Sequence, residues 1–159
     1  MDHLWSPWRY RYVSQAIPEE ACLFCRIAAS PDDQANHVVL RGERNFVLLN
    51  RYPYTSGHLM IAPYAHVATL EESDPAALAE MMSLAQRAET ALRAIYKPGG
   101  VNIGINVGKA AGAGVANHIH MHVLPRWLGD VNFMTSVGET RVLPEELDET
   151  WAKLKTKLG

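Results

Sequence analysis

The sequence predicts an α+β fold: about five strands in a mostly antiparallel sheet, one long helix packed on one face, and a short C-terminal helix. Two observations carry this. Short apolar runs bounded by turn residues flank one long helical pattern, which falls between the third run and the fourth. No repeat, linker or low-complexity tract interrupts the 159 residues, so a single domain is expected over residues 1–159.

Residues 1–20 read as an aromatic and basic arm, with Trp5, Trp8, Tyr10 and Tyr12 among Arg9 and Arg11. So much aromatic area is expected to lie on the body of the protein or on a partner subunit. His37–Leu40 and Asn45–Asn50 read as two strands joined by the turn Arg41-Gly42-Glu43-Arg44. A third strand, Gly57–Ala62, follows the turn-rich stretch Arg51–Ser56. The long helix runs from about Asp74 to Tyr96: Ser73 or Asp74 suits the N-cap, and Pro75 falls in the first turn, where its missing N–H costs nothing. Leu78, Met81, Met82, Ala85, Leu92 and Ile95 read as its apolar stripe, and Pro98-Gly99-Gly100 ends it. Val101–Val107 and His118–Leu124 read as the fourth and fifth strands, joined by the glycine and alanine loop Gly108–Gly114. Leu147, Trp151, Leu154 and Leu158 recur at helical spacing in a closing helix near Pro144–Leu158.

Composition narrows the function. A chain that is 48% hydrophobic and 20% charged can build a core, which argues against disorder. A formal net charge of −2 gives no electrostatic case for nucleic-acid binding. No apolar run approaches the roughly twenty residues that cross a bilayer. The start Met1-Asp2-His3-Leu4-Trp5 lacks the basic and apolar stretches of a signal peptide, so a cytoplasmic protein is expected. In a reducing compartment, two cysteines as close as Cys22 and Cys25 suggest metal or redox chemistry more than a structural staple.

The most informative stretch is His118-Ile119-His120-Met121-His122-Val123-Leu124. Side chains alternate along a strand, so the three histidines share one face and Ile119, Met121 and Val123 the other. The apolar face belongs against the helix. Imidazoles about 6.6 Å apart suit a chain of phosphates, or one metal ligand followed by a catalytic pair. The competing readings are a polar surface face that uses histidine by chance, and a purely metal-binding triad. Three ligands two apart on a flat strand diverge too far to share one ion unaided. Upstream lies Gly104-Ile105-Asn106-Val107-Gly108-Lys109-Ala110-Ala111-Gly112-Ala113-Gly114. Glycines let backbone N–H groups approach an anion, and the Asn106 amide can donate to a phosphate oxygen. Alone, such a loop is an ordinary tight connection; directly before the aligned histidines it favours phosphate.

At these residues the sequence resembles the histidine triad family. The likeness rests on His118, His120 and His122 with Pro125-Arg126 after them, on Asn106-x-Gly108 before them, and on Asn50-x-x-Pro53-x-x-x-Gly57-His58-Leu59-Met60-Ile61-Ala62-Pro63. It covers a core of about residues 22–126, leaving an N-terminal arm and a C-terminal extension. The two ends, Leu4-Trp5-Ser6-Pro7-Trp8-Arg9 and Trp127-Leu128-Gly129-Asp130-Val131-Asn132-Phe133, resemble the bacterial and archaeal branch that includes diadenosine tetraphosphate phosphorylase-like proteins.

The resemblance implies a nucleotide hydrolase or transferase acting at the α-phosphate of adenine-type nucleotides or dinucleoside polyphosphates. It implies that His120 is the nucleophile and forms a nucleotidyl-histidine, and that His122 contacts the α-phosphate and the leaving oxygen. Asn106 and N–H groups near Gly112 and Gly114 would hold the non-bridging oxygens. His58 matches a supporting histidine behind the triad, and Asn50 a ribose-holding position. Leu48, Leu49, Phe24 and Leu59 are candidates for the base pocket. Two departures stand out. No Ser or Thr precedes His118 in Gly112-Ala113-Gly114-Val115-Ala116-Asn117, and the loop is one residue longer than in ordinary hydrolase branches.

The resemblance also implies a structural zinc, with Cys22 and Cys25 joined by His66 and the triad's own His118; no organic cofactor is expected. Zinc loss would then cost stability before chemistry. The family builds homodimers, and the Trp5–Tyr12 segment and the long helix are the candidate contact surfaces. His3 and His37 read as surface histidines. Two other functions stay open beside the phosphorylase or hydrolase reading: a nucleotide-binding or signalling protein with little turnover, and a purine nucleoside phosphoramidate hydrolase. A zinc-dependent interaction protein would need a partner surface lost on chelation.

Overall fold

The computed structural model describes residues 22–130 and 143–159. The elements are α1 (Leu23–Ala29), β1 (Val38–Arg41), β2 (Asn45–Leu49), β3 (Leu59–Pro63), α2 (Pro75–Tyr96), β4 (Gly100–Ile105), a 3-10 turn (Lys109–Ala111), β5 (Met121–Arg126) and α3 (Leu147–Leu158). The strands lie in the order β1-β2-β3-β5-β4, and every neighbouring pair is antiparallel. The expected α+β architecture is therefore present. The aromatic arm, with Trp5 to Tyr12 and His3, and the tail residues Asn132 and Phe133 lie outside the described residues.

The period of two along each strand sorts side chains onto two faces. Val47, Leu49, Leu59, Ile61, Met121 and Val123 pack against Met81, Leu84, Ala88 and Leu92 of α2, with Leu154 and Leu158 of α3 in the same core. Val38, Phe46, Leu48, Met60 and Ala62 form a second cluster on the other face, covered by Phe24 and Ile27 of α1.

The α2 boundaries follow local chemistry. The Asp74 carboxylate accepts from the Ala76 N–H at 3.0 Å, and Lys97 closes the helix in the left-handed region. Its apolar stripe differs from the expected one at Met82, which is 59% exposed. At 100° per residue, Met81 and Met82 cannot both face the sheet. Met81 does, and Met82 lines a groove with Ala79, Ser83, Gln86, Glu89 and Ile103 of β4.

Two elements differ from the sequence reading. Helix α1 has too few residues to show a helical period, and its last carbonyls are satisfied from afar. Arg41 donates to Ala28 O at 3.0 Å and Ser30 O at 2.7 Å while pairing with Asp33 at 2.8 Å. Strand β5 starts at Met121, because β4 ends at the Ile105–Met121 pair. It runs on through Pro125, where β3 no longer flanks it: the last β3–β5 pair is Leu59–Val123.

Candidate active site and metal centre

The histidines sit where the ladder gives way to irregular chain. His122 lies within β5, level with Met60 on one side and Gly104 on the other. His118 and His120 precede the ladder in chain tied down by the Ile119 N–H to Val67 O at 2.7 Å. The rings of His120 and His122 lie edge to face, 4.9 Å between centroids. His118 and His120 are both buried.

Hydrogen bonds fix which nitrogen of each ring carries the proton. His120 Nδ1 lies 2.9 Å from the main-chain oxygen of His118. A carbonyl only accepts, so Nδ1 is the donor and Nε2 holds a free lone pair. His58 Nδ1 receives the Tyr54 N–H at 3.2 Å and faces the Asn50 amide at 3.4 Å, which puts its proton on Nε2. That proton is donated to His122 Nδ1 at 2.9 Å. His122 in turn carries its proton on Nε2. Burial pushes His120 below the ordinary histidine range, despite the opposing bond to His118. Burial, then the charge of His120, push His122 down to about 4. Both rings are neutral at pH 7, the state a nitrogen nucleophile needs.

The glycine loop 106–114 leaves β4 at the His120 end. Gly108 and Gly112 both have positive φ, +82 and +92, which permits the tight 3-10 turn between them. The Gly112 N–H is bonded to Lys109 O and the Ala113 N–H to Gly108 O. Of the two expected glycine donors, Gly112 is thus engaged within the loop. Gly114 has no backbone partner among the described residues. Asn106 lies just past the end of β4 and is half-buried.

Two of the residues expected to border the base lie on the helix side of the sheet. Leu49, and Leu59 with it, belongs to the core beneath α2, opposite the histidine face. The register pairs Leu49 with Leu59 and Leu59 with Val123, whereas Leu48, Met60, His122 and Gly104 form the row on the site face. Leu48 and Phe24 thus lie on the same side of the sheet as His122, and Leu49 and Leu59 on the other. Gly104, read from the sequence as the start of the glycine stretch, lies within β4 opposite His122; a Cβ there would meet nothing within 4 Å, so the site lies open beside His122. Only the strand register exposes that.

Beside the triad, Cys22, Cys25, His66 and His118 bring one ligand atom each to within 4.8 Å of one another. His118 Nδ1 lies 3.3 Å from Cys22 Sγ and 3.6 Å from Cys25 Sγ, and His66 Nδ1 lies 3.3 Å from Cys25 Sγ. Bond lengths for zinc give a tetrahedral sulfur–nitrogen edge of about 3.6 Å, so the four atoms fit such an ion. The His118 Nε2–H donates to Pro63 O at 2.9 Å, leaving Nδ1 with its lone pair toward the sulfurs. Burial, then the neighbouring Cys22, raise the Cys25 thiol, and a cation would reverse that.

Comparison with known proteins agrees with this geometry. The family model described as the HIT domain matches residues 32–127. A protein of Mycobacterium tuberculosis named AP-4-A phosphorylase is 37% identical over 164 residues, covering 99% of this chain and 84% of that protein. A zinc-bound histidine triad family protein from Mycobacterium smegmatis superposes with a TM-score of 0.70 at 32% identity, covering 87% of this chain and 93% of that one. A histidine triad nucleotide-binding protein from Sulfolobus tokodaii gives a TM-score of 0.70 at 24% identity over 86% of this chain and 91% of that one, a likeness of fold. The order of the strands, the histidine row and the extent of these matches place the chain in the histidine triad family.

Proposed function

We propose that this chain is a nucleotidyl-transferring enzyme that cleaves a dinucleoside polyphosphate at an α-phosphate, with inorganic phosphate as the acceptor. The observation that carries the reading is the bond from His120 Nδ1 to His118 O, which leaves Nε2 of a neutral ring as the nucleophile. Nε2 bonds to the α-phosphorus and the bond to the leaving phosphate oxygen breaks. The leaving polyphosphate departs as its anion while His122 Nε2–H donates a hydrogen bond to that oxygen, and the Asn106 amide with the Gly114 N–H stabilises the non-bridging oxygens. A phosphate oxygen then displaces His120 from phosphorus. With diadenosine tetraphosphate the products are ATP and ADP. The near full-length likeness to the mycobacterial AP-4-A phosphorylase supports phosphate over water as acceptor.

In this reading Asn50 holds the ribose, and Phe24 and Leu48 border the base. Zinc occupies the Cys22, Cys25, His66 and His118 site. It would supply a fixed cross-link between α1 and the chain before β5, with the thiols bound as thiolates. The enzyme is a homodimer. Strand β4 is one of the two edges of the sheet, Ile103 on it is 43% exposed, and Met82 faces the same groove; antiparallel pairing of two β4 edges would cover both.

The test is turnover of diadenosine tetraphosphate with and without phosphate. ADP and ATP formed only with phosphate support the reading; AMP formed regardless of phosphate indicates hydrolysis. Wild-type turnover by His120→Asn would end it.

A further inference from the structure

His118 performs two tasks at once. Its Nδ1 faces both cysteine sulfurs, and its main-chain oxygen accepts the Nδ1 proton of His120. Its ring is fully buried and braced by the Nε2–H bond to Pro63 O, so ring and carbonyl are held as one unit. A second connection runs through Phe24. Its ring is 4.8 Å from that of His120 and 5.1 Å from that of His118. It stands between the two cysteines in Cys22-Leu23-Phe24-Cys25, on a helix of only seven residues with no capping side chain at its start. A helix that short has little stability of its own. What fixes Phe24 is therefore packing on one side and the two cysteine ligands on the other.

We infer that the Cys22, Cys25, His66 and His118 centre is a positioning device for His120, acting through the His118 carbonyl and the Phe24 ring, and not only a staple for the fold. His118 and Phe24 are positioning residues here, since each would act through the His120 ring. The inference rests on the reading of His120 as nucleophile, and it departs from the purely structural role that the family resemblance implies. A closed centre holds the carbonyl opposite Nδ1, so the lone pair stays on Nε2 and the ring faces the site. An opened centre frees His118 and α1. The His120 ring can then turn or take the other tautomer, and the nucleophilic nitrogen is lost for part of the time. Misplacement of a reacting atom by about 1 Å costs up to about a hundredfold in rate, so a small loosening suffices. Substrate binding through Asn50 and the glycine loop does not depend on that ring's tautomer.

The first experiment reads the ring directly, without substrate. Ring nitrogen NMR of His120 is recorded in the zinc-loaded protein and again after chelation, with amide spectra reporting the fold. The expected result is a protonated Nδ1 and bare Nε2 with zinc, and averaged tautomers or broadened signals without it. Unchanged His120 nitrogens in a folded, zinc-free protein overturn the proposal. Should the zinc-free chain unfold, Phe24→Leu decides, because it keeps all four ligands. With zinc content matching wild type, and at saturating nucleotide so that any change in base affinity drops out, it is expected to lower the single-turnover rate of nucleotidyl-histidine formation about tenfold and to leave the His120 ring nitrogens averaged between tautomers. A wild-type rate overturns the proposal. Because the NMR result needs no turnover, it stands apart from a failure of the proposed reaction.

Discussion

His58 Nε2 lies 2.9 Å from His122 Nδ1, and the two rings are 5.1 Å apart between centroids. His58 is fully buried, so its orientation is imposed and not chosen by solvent. The Tyr54 N–H aimed at its Nδ1 determines that it donates to His122. A backbone amide in the loop before β3 thereby decides which nitrogen of His122 carries a proton toward the substrate.

Replacing His58 with Phe keeps the volume and removes that donor. His122 would then be free to place its proton on Nδ1, where no leaving group can reach it. kcat is expected to fall by about a hundredfold, with KM changed little, and the deficit should shrink for substrates whose less basic leaving group gains little from that hydrogen bond. A panel of nucleotides with leaving groups of graded acidity measures this. An equal deficit across the panel would contradict the assignment.

The depressed His122 links stability to pH. Its folded-state value is about 4, against 6.5 for an ordinary histidine. Between those two values the unfolded chain binds a proton that the folded chain does not, so this group makes stability fall as pH falls from 6.5 to 4. Above 6.5 its contribution is flat. Denaturant unfolding at a series of pH values should show that slope, and His122→Asn should reduce it by up to about one proton. An identical slope in the variant would show that His122 titrates normally.

Gly104 stands level with His122 on the site face and has open space around it. Gly104→Val is expected to leave the melting temperature within a few degrees, since a β-branched residue suits an extended edge strand. The added methyl groups project where a phosphate must approach, so KM for nucleotide should rise at least about tenfold. Calorimetric titration of AMP alongside thermal melting separates the two effects. Unaltered affinity would place the nucleotide elsewhere.

Glu80 of α2 holds the β1–β2 turn. Its carboxylate accepts from the Glu43 N–H at 2.7 Å, the Arg44 N–H at 2.8 Å and the Asn45 amide at 2.7 Å. Burial alone would raise its pKa, but the bonds from Asn45, Arg44 and Glu43 outweigh that and hold it below the usual range. Glu80→Ala should destabilise by about 2–3 kcal/mol and Glu80→Gln by roughly half as much, without altering KM. Urea midpoints on the two variants test the ranking.

Chelation should lower the melting temperature, because the bound ion stabilises only the folded chain. Cys22→Ser should abolish most of the zinc dependence of that shift. A melting temperature indifferent to both zinc and chelator would remove the metal from the account.

Much was legible before any coordinates. The alternation in His118–Leu124 put Met121 and Val123 into the core under α2 and His122 on the opposite face, as found. The capping of α2 by Asp74 and its end after Tyr96 follow from residues within a turn of each boundary. The four ligand types were visible as well, by likeness of spacing, and they do converge. Local chemistry and period are sequence properties, so these parts need no tertiary context. Leu48 against Leu49 was not decidable in that way. A run buried on both sides, as β2 is throughout, carries no alternation to read, and only pairing with β3 and β5 tells which residue shares a face with His122. The same holds for the tautomers of His58 and His120 and for the short helix that carries Phe24. Each depends on a carbonyl, amide or guanidinium brought in from outside its own element, and such partners exist only once the chain has closed on itself.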